Sequence, residues 1–495
     1  MAGEYGWRIL VILWGHSMNR RSWINLGKDG TFTPTGKLSS TPEDIDWLIE
    51  GLLRDGSQLI LHFHGGLVSE DRGLKTAEVM AANYGQLPTI SLIWETGLKE
   101  TVRDNLLGIT NTKVFEKALC WVLAKAGGGD LQGAKGPGGG DLDPATIEAM
   151  LADKDGAREL DKLLTRQAIA EEPKAKAKGP AGADLDENMI ALDLELDFAK
   201  DRSLPTLVDH EAPGSEPIRR LIESEPGNKK GVVTLGSVAL FLARVIIAVV
   251  RRYRGETHHD PLPTAVEELL RAAYLADVGK YAWDAMKVKA QHMWIDDGAT
   301  PGVDGHVGGY LLRRLEHLQS VKPNFKIDAV GHSAGAIAIC QMLAAINADK
   351  RKIKLRNIVF LAPAVRLDLF ARWIPRGPQI FERFRLFTMT DEWEKDDELF
   401  GSIYPRSLLY LVSGCFEDQP DTAIAGMERF LRQPTTSAGR DYDDVREWLK
   451  ANNRVVYAPS DDAAGNGLQT RAQHHGDFDD DKMTLGSLLS MARGA

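Results

Sequence analysis

Gly331-His332-Ser333-Ala334-Gly335 decides the fold through what stands on either side of it. Before it runs Phe325-Lys326-Ile327-Asp328-Ala329-Val330, a short β-branched and apolar stretch that reads as a strand. After it, Ala336 to Ile346 is apolar enough for a buried helix. Strand, sharp turn and helix give the two glycines a steric task. Without Cβ atoms they let strand and helix approach closely, while Ser333 is held strained with its hydroxyl presented.

In that setting the pentapeptide G-x-S-x-G resembles the nucleophile elbow of the α/β-hydrolase superfamily. A second Gly-His-Ser, Gly15-His16-Ser17-Met18-Asn19, follows the strand-like Arg8–Trp14. Asn19 replaces its second glycine, and polar residues follow instead of an apolar helix, so Ser333 is the preferred nucleophile.

The resemblance implies three further groups, each after a strand. A serine hydroxyl is a poor nucleophile at neutral pH, so it needs a base and a carboxylate to orient that base, in the chain order Ser, Asp or Glu, His. Asp391 follows the strand-like Phe384–Met389 and is the expected acid; Asp418 is the reserve. Glu392, Glu394, Asp396 and Asp397 read as a solvated acidic loop. His474 and His475 are the histidines beyond the acid, and Gly476 favours His475 as the base. For the oxyanion, one donor is the backbone N–H of Ala334. The other is Gly66 or Leu67, in the His64-Gly65-Gly66-Leu67 that follows the strand-like Gln58–Phe63.

Around these motifs strands alternate with helices, as in βαβ units of a mostly parallel sheet flanked by helices. Strands are expected at Pro88–Trp94, Ile358–Ala362, Leu408–Ser413 and Val455–Tyr457. Helices are expected at about 72–84, 264–294, 309–318 and 483–491. The alternation lapses near Glu100, so residues 1–100 and 310–495 are expected to form the core and 101–309 a mainly helical cap or lid. Within that insertion, about 126–189 is rich in Gly, Ala and Lys and is expected to be partly mobile, with short helices within 144–164.

The most apolar stretch, 232–250, nears membrane-spanning length but contains Arg244. A mid-span Arg costs roughly 2.5–3.5 kcal/mol on insertion scales. A buried cap helix is therefore preferred, with peripheral lipid contact as the rival. Across the 495 residues the net charge is −10, which argues against nucleic acid as a partner. Three scattered cysteines carry no metal or disulfide pattern, as expected in a reducing cytoplasm, and no secretory signal opens the chain. The runs at His258-His259-Asp260 and His474 to Asp481 read as polar loops before metal sites.

These readings describe a serine hydrolase acting on small-molecule or lipid esters through Ser333, His475 and Asp391, with no cofactor or metal. The alternatives are a phospholipase-like enzyme at a membrane surface, an amidase or peptidase with the same triad, and a non-catalytic binding protein of the same fold.

Overall fold

In the computed structural model, seven strands among the described residues form one sheet, every neighbouring pair parallel. The structure describes residues 22–66, 68–94, 110, 112–129, 142–171, 186–199, 234–274, 279–397, 399, 401–432 and 442–494. The strands are β1 (Trp23–Leu26), β2 (Gln58–Phe63), β3 (Thr89–Trp94), β4 (Lys326–His332), β5 (Leu355–Leu361), β6 (Phe381–Met389) and β7 (Val455–Ala458), and their spatial order is β1-β3-β2-β4-β5-β6-β7. β3 and β5 are buried at every position. Helices cover both faces of a parallel sheet, so even the polar Ser91, Arg356 and Asn357 on these strands are buried.

On the N-terminal side the helices are α1 (Pro42–Asp55) and α2 (Glu70–Asn83). Thr41 caps α1 in a reciprocal pair with Asp44, and Pro42 occupies the first turn, where its missing N–H costs nothing. The intervening helical layer comprises α3 (Lys113–Gly129), α4 (Pro144–Leu151), α5 (Lys154–Glu171), α6 (Glu187–Phe198), α7 (Leu235–Arg254), α8 (Pro261–Tyr274) and α9 (Gly279–His292). After it come α10 (Val307–Val321), α11 (Gly335–Ala348), α12 (Leu367–Trp373) and α13 (Asp391–Asp396). The chain ends with α14 (Leu408–Leu411), α15 (Glu428–Leu431), α16 (Asp443–Lys450) and α17 (Lys482–Arg493).

Of the apolar stretch 232–250, residues 235–250 lie in helix α7, started by a Thr234–Ser237 capping box. One broad face is buried against α6, α3 and α8. Arg244 leaves that face and pairs with Glu187 at 2.7 Å, while Arg252 is buried and pairs with Glu267 at 2.7 Å and Glu268 at 3.1 Å. Among the described residues no helix is long and apolar enough to cross a membrane.

One expectation needs correction, and one strand was missed. Leu408–Ser413 is not a strand: it forms α14 and then a π-helical turn, Val412–Phe416. A run that is buried all round carries no period, so its composition suits helix and strand alike. Here Arg271 holds the Gly414 and Glu417 carbonyls, each at 3.1 Å, and Gly414 lies so close to the Glu267 carboxylate that a Cβ would collide with it. The first described strand, Trp23–Leu26, was not anticipated, because polar Asn25 interrupts its apolar pattern. Asn25 is buried; its backbone N–H donates to Ser40 Oγ at 2.8 Å and its side-chain amide to the Leu38 carbonyl at 3.0 Å. The expected strand Arg8–Trp14, the rival Ser17 and Leu67 lie outside the described residues.

Winding reverses between β2 and β4. From β2 the chain proceeds to β3 on one side, while β4 to β7 build outward on the other. In open α/β sheets, ligands settle at the carboxyl ends of strands at such a switch point. Here those ends carry His64-Gly65-Gly66 and Ser333.

Candidate active site

Ser333 sits at φ +51°, a region costly for a residue with a side chain. Both flanking glycines are forced by contact. A Cβ on Gly335 would run into the carbonyl of Phe63 on neighbouring β2. On Gly331 it would lie 2.8 Å from the Gly335 backbone and from Ile339 Cδ1. The turn is anchored by the Ser333 N–H, which donates to the Leu361 carbonyl on β5 at 2.8 Å.

The chain brings an imidazole to this hydroxyl from 142 residues away: His475 Nε2 lies 3.0 Å from Ser333 Oγ. Both side chains are nearly buried, Ser333 5% and His475 7% exposed, so little water competes for that contact. The His475 main chain is held at both ends. Its N–H donates to Asp397 Oδ2 at 2.9 Å, and its carbonyl accepts from His332 Nε2 at 3.0 Å. The neighbouring His474 ring meets Asp397 Oδ1 at 2.9 Å.

The loop after β2 lies directly on the elbow. A Cβ on Gly65 would touch Ser333 Cβ at 3.3 Å, and one on Gly66 would lie 2.8 Å from Ala334 Cβ and 2.5 Å from Met286 Sδ. Met286 belongs to α9, so the helical layer closes over this corner. His64 ties the loop to β3: its Nε2 accepts from the Trp94 N–H at 3.3 Å, which leaves Nδ1–H to donate to the Gly65 carbonyl at 2.7 Å. That tautomer is neutral, in keeping with burial, which drives the His64 pKa down to about 4. Burial does the same to His62, whose Nδ1 meets Tyr84 Oη at 2.9 Å.

Asp391 begins α13 directly after β6. Its Oδ1 accepts from Tyr410 Oη at 2.6 Å and its Oδ2 pairs with Lys395 at 3.1 Å. Asp418, the reserve acid, is exposed and follows the π-helical turn rather than a strand.

Other carboxylates read as solvated are not. Glu394 is fully buried against Ser407 Oγ, and burial raises its pKa well above the ordinary carboxylate range. Asp397 holds both histidines of the base loop. Asp479 is partly buried beside His332, 3.0 Å from its Nδ1. Composition hid all three, because each lies in a run of charges where every position looks alike. His332 was in view as the variable residue of the pentapeptide, but no spacing rule assigns that position a role.

His259 also differs from a polar loop residue. It is buried between Glu267 at 2.8 Å and Asp421 at 3.0 Å, in a network with Arg252, Arg429 and Tyr404 that joins α7 and α8 to the sheet domain. Both ring nitrogens are occupied by carboxylates. Among the described residues no cluster of His, Cys, Asp or Glu is arranged to hold a metal.

The sequence model of the Alpha/beta hydrolase family matches residues 234–481, half of the chain, and spans the elbow, β4 to β7 and the His475 loop. No curated protein and no solved structure matches the chain.

Proposed function

The chain belongs to the alpha/beta hydrolase family, and on that premise we propose that it cleaves carboxylic esters through an acyl-enzyme on Ser333. His475 Nε2 takes the hydroxyl proton as Oγ attacks the acyl carbon. The negative charge that collects on the carbonyl oxygen is met by the N–H groups of Ala334 and of Gly66 or Leu67. The His475 imidazolium then gives its proton to the departing alkoxide, and the C–O bond breaks. Water enters, loses a proton to His475 and attacks the acyl carbon; Oγ leaves with that proton and the acid is released.

The observation that carries this reading is the 3.0 Å contact between Ser333 Oγ and His475 Nε2 at a serine held at φ +51°. For the orienting acid, Asp391 has the support of position, at the end of β6 and between serine and histidine in the chain. A carboxylate offers about four lone-pair sites, so its contacts with Tyr410 and Lys395 leave capacity for an imidazole. Nitrophenyl esters of increasing acyl length test the proposal. Turnover that disappears in Ser333→Ala with an unchanged melting temperature supports it, and turnover that survives the substitution refutes it.

A lipid-directed version has one observation in its favour. Met189, Leu192 and Leu196, spaced along one stripe of α6, are 63%, 53% and 59% exposed. α6 packs on α7, so the apolar surface is offered by the neighbour of the stretch for which lipid contact was the rival expectation. Hydrolysis that rises sharply on phospholipid vesicles over soluble short-chain esters would favour this version; equal rates would favour a plain esterase.

A further inference from the structure

We infer that His332 and Asp479, opposite Asp397, clamp the main chain of His475 and thereby position its imidazole against the serine. The inference rests on the reading of Ser333 and His475 as nucleophile and base. His332 and Asp479 are positioning residues, since they act on the reaction only through His475.

The base sits in a long connection. Between β7 and α17 the chain runs through residues 459–481 with one 3₁₀ turn, Asp477–Asp479, as its regular structure. Such a loop does not by itself hold an imidazole to a fraction of an ångström, and a misplacement of about 1 Å costs on the order of 10²-fold in rate. The loop is instead bolted to the sheet at the peptide groups of His475. Asp397, just past the helix that follows β6, takes the N–H at 2.9 Å. His332, the last residue of β4, holds the carbonyl at 3.0 Å. Because His332 immediately precedes Ser333, the nucleophile and the handle of its base share one strand end. Through that bond their separation is referenced in part to one strand, β4.

Hydrogen-bond chemistry fixes the charge of the handle. A carbonyl oxygen only accepts, so His332 Nε2 must carry a proton. An ionised carboxylate likewise only accepts, so Nδ1, 3.0 Å from Asp479 Oδ2, must carry one too. His332 is therefore an imidazolium, and Asp479 is the anion that keeps it so. Burial pushes the Asp479 carboxyl up, but attraction to His332 and the hydrogen bond from it outweigh this and leave it below its ordinary range. The other titratable groups facing the pair are His475, at a ring separation of 5.4 Å, and the buried rings of His62, His64 and Tyr84. A neutral His332 has one N–H for two acceptors and would release either the carbonyl or the carboxylate.

Two variants of nearly equal length separate clamping from simple packing. In His332→Gln the side-chain amide keeps an N–H donor for the His475 carbonyl; in His332→Met the thioether offers none. The readout is the rate at which a fluorophosphonate reacts with Ser333, compared at matched melting temperature. His332→Met is expected to react at least about tenfold more slowly than wild type, and His332→Gln to recover to within about threefold. Equal rates in the two variants would overturn the clamp.

A second measurement needs no variant. The ¹⁵N shifts of the His332 ring at pH 8 are expected to show both nitrogens protonated, and in Asp479→Asn only one. A neutral ring in the wild type refutes the inference even if His332→Met fails to fold. If the wild type forms no adduct at Ser333, the nucleophile reading fails and the ring spectrum still decides the charge pair. If Ser333 reacts but His332→Met matches wild type, the clamp alone fails.

Discussion

Gly66→Ala inserts one methyl group where the loop after β2 meets the elbow. The new Cβ would lie 2.5 Å from Met286 Sδ and 2.8 Å from Ala334 Cβ. The Met286 thioether is the far end of a flexible side chain and can swing aside. Ala334 Cβ is fixed to the first turn of α11 and cannot. Carbon atoms settle about 3.5–4.0 Å apart, so the loop must retreat from the elbow by roughly 0.7 Å or more. That retreat separates the Gly66 and Ala334 backbones, which carry the proposed oxyanion donors. Loss of one such donor costs about 2.7–4 kcal/mol of transition-state stabilisation, or roughly 10²–10³ in kcat. Overpacking itself costs about 1–3 kcal/mol of stability. Steady-state kinetics on a soluble nitrophenyl ester, with a melting curve on the same preparation, measure the two effects separately. The expected result is a kcat down by about two orders of magnitude, a KM changed little and a melting temperature lowered by a few degrees. A variant that melts lower but turns over at the wild-type kcat would refute the idea that this loop contacts the developing charge.

Other outcomes follow from the same geometry. Asp391→Asn is expected to cut kcat by roughly 10²–10⁴-fold with the fold intact, as loss of an orienting carboxylate does; near-wild-type turnover would take Asp391 out of the acid's role. Glu267→Gln leaves buried His259 and Arg252 without their shared anion and is expected to cost about 3–5 kcal/mol in chemical denaturation, against less than about 1 if the network is incidental. Acid should destabilise the protein before its carboxylates titrate. Burial depresses His62 and His64 to about 4 from 6.5, so the unfolded chain binds their protons first. Stability from this source is complete above pH 6.5 and falls towards pH 4, by roughly 3 kcal/mol per histidine at about 1.36 kcal/mol per pH unit. A melting temperature that stays flat from pH 7 to 5 would contradict this.

The parts of the fold legible in the sequence are those written in local covalent terms. Gly331, Gly335 and Gly66 sit where no Cβ fits, and such positions leave a pattern that survives without knowledge of the rest of the chain. β4 and α11 were legible because an apolar strand and an apolar helix meet there across one turn. His475 was reachable by chain order and the glycine beside it, and the hydroxyl it meets was already identified. What was not legible depends on contacts between distant segments. Nothing in Asp477 to Asp481 tells Asp479, paired with His332, from its exposed neighbour Asp480. Asp397 is one of several acids in its run, and only the arrival of the His475 loop gives it two donors. The turn at 408–416 owes its helical form to Arg271 and Glu267, both far back in the chain, and its own residues suit a strand equally well.

The measurement that bears most directly on the account is the intact and peptide mass of folded protein after reaction with a fluorophosphonate. The account predicts one phosphonyl group per chain, carried by Ser333 and formed far more slowly in His475→Ala. A folded protein that takes up no label, or carries it on another serine, would contradict it.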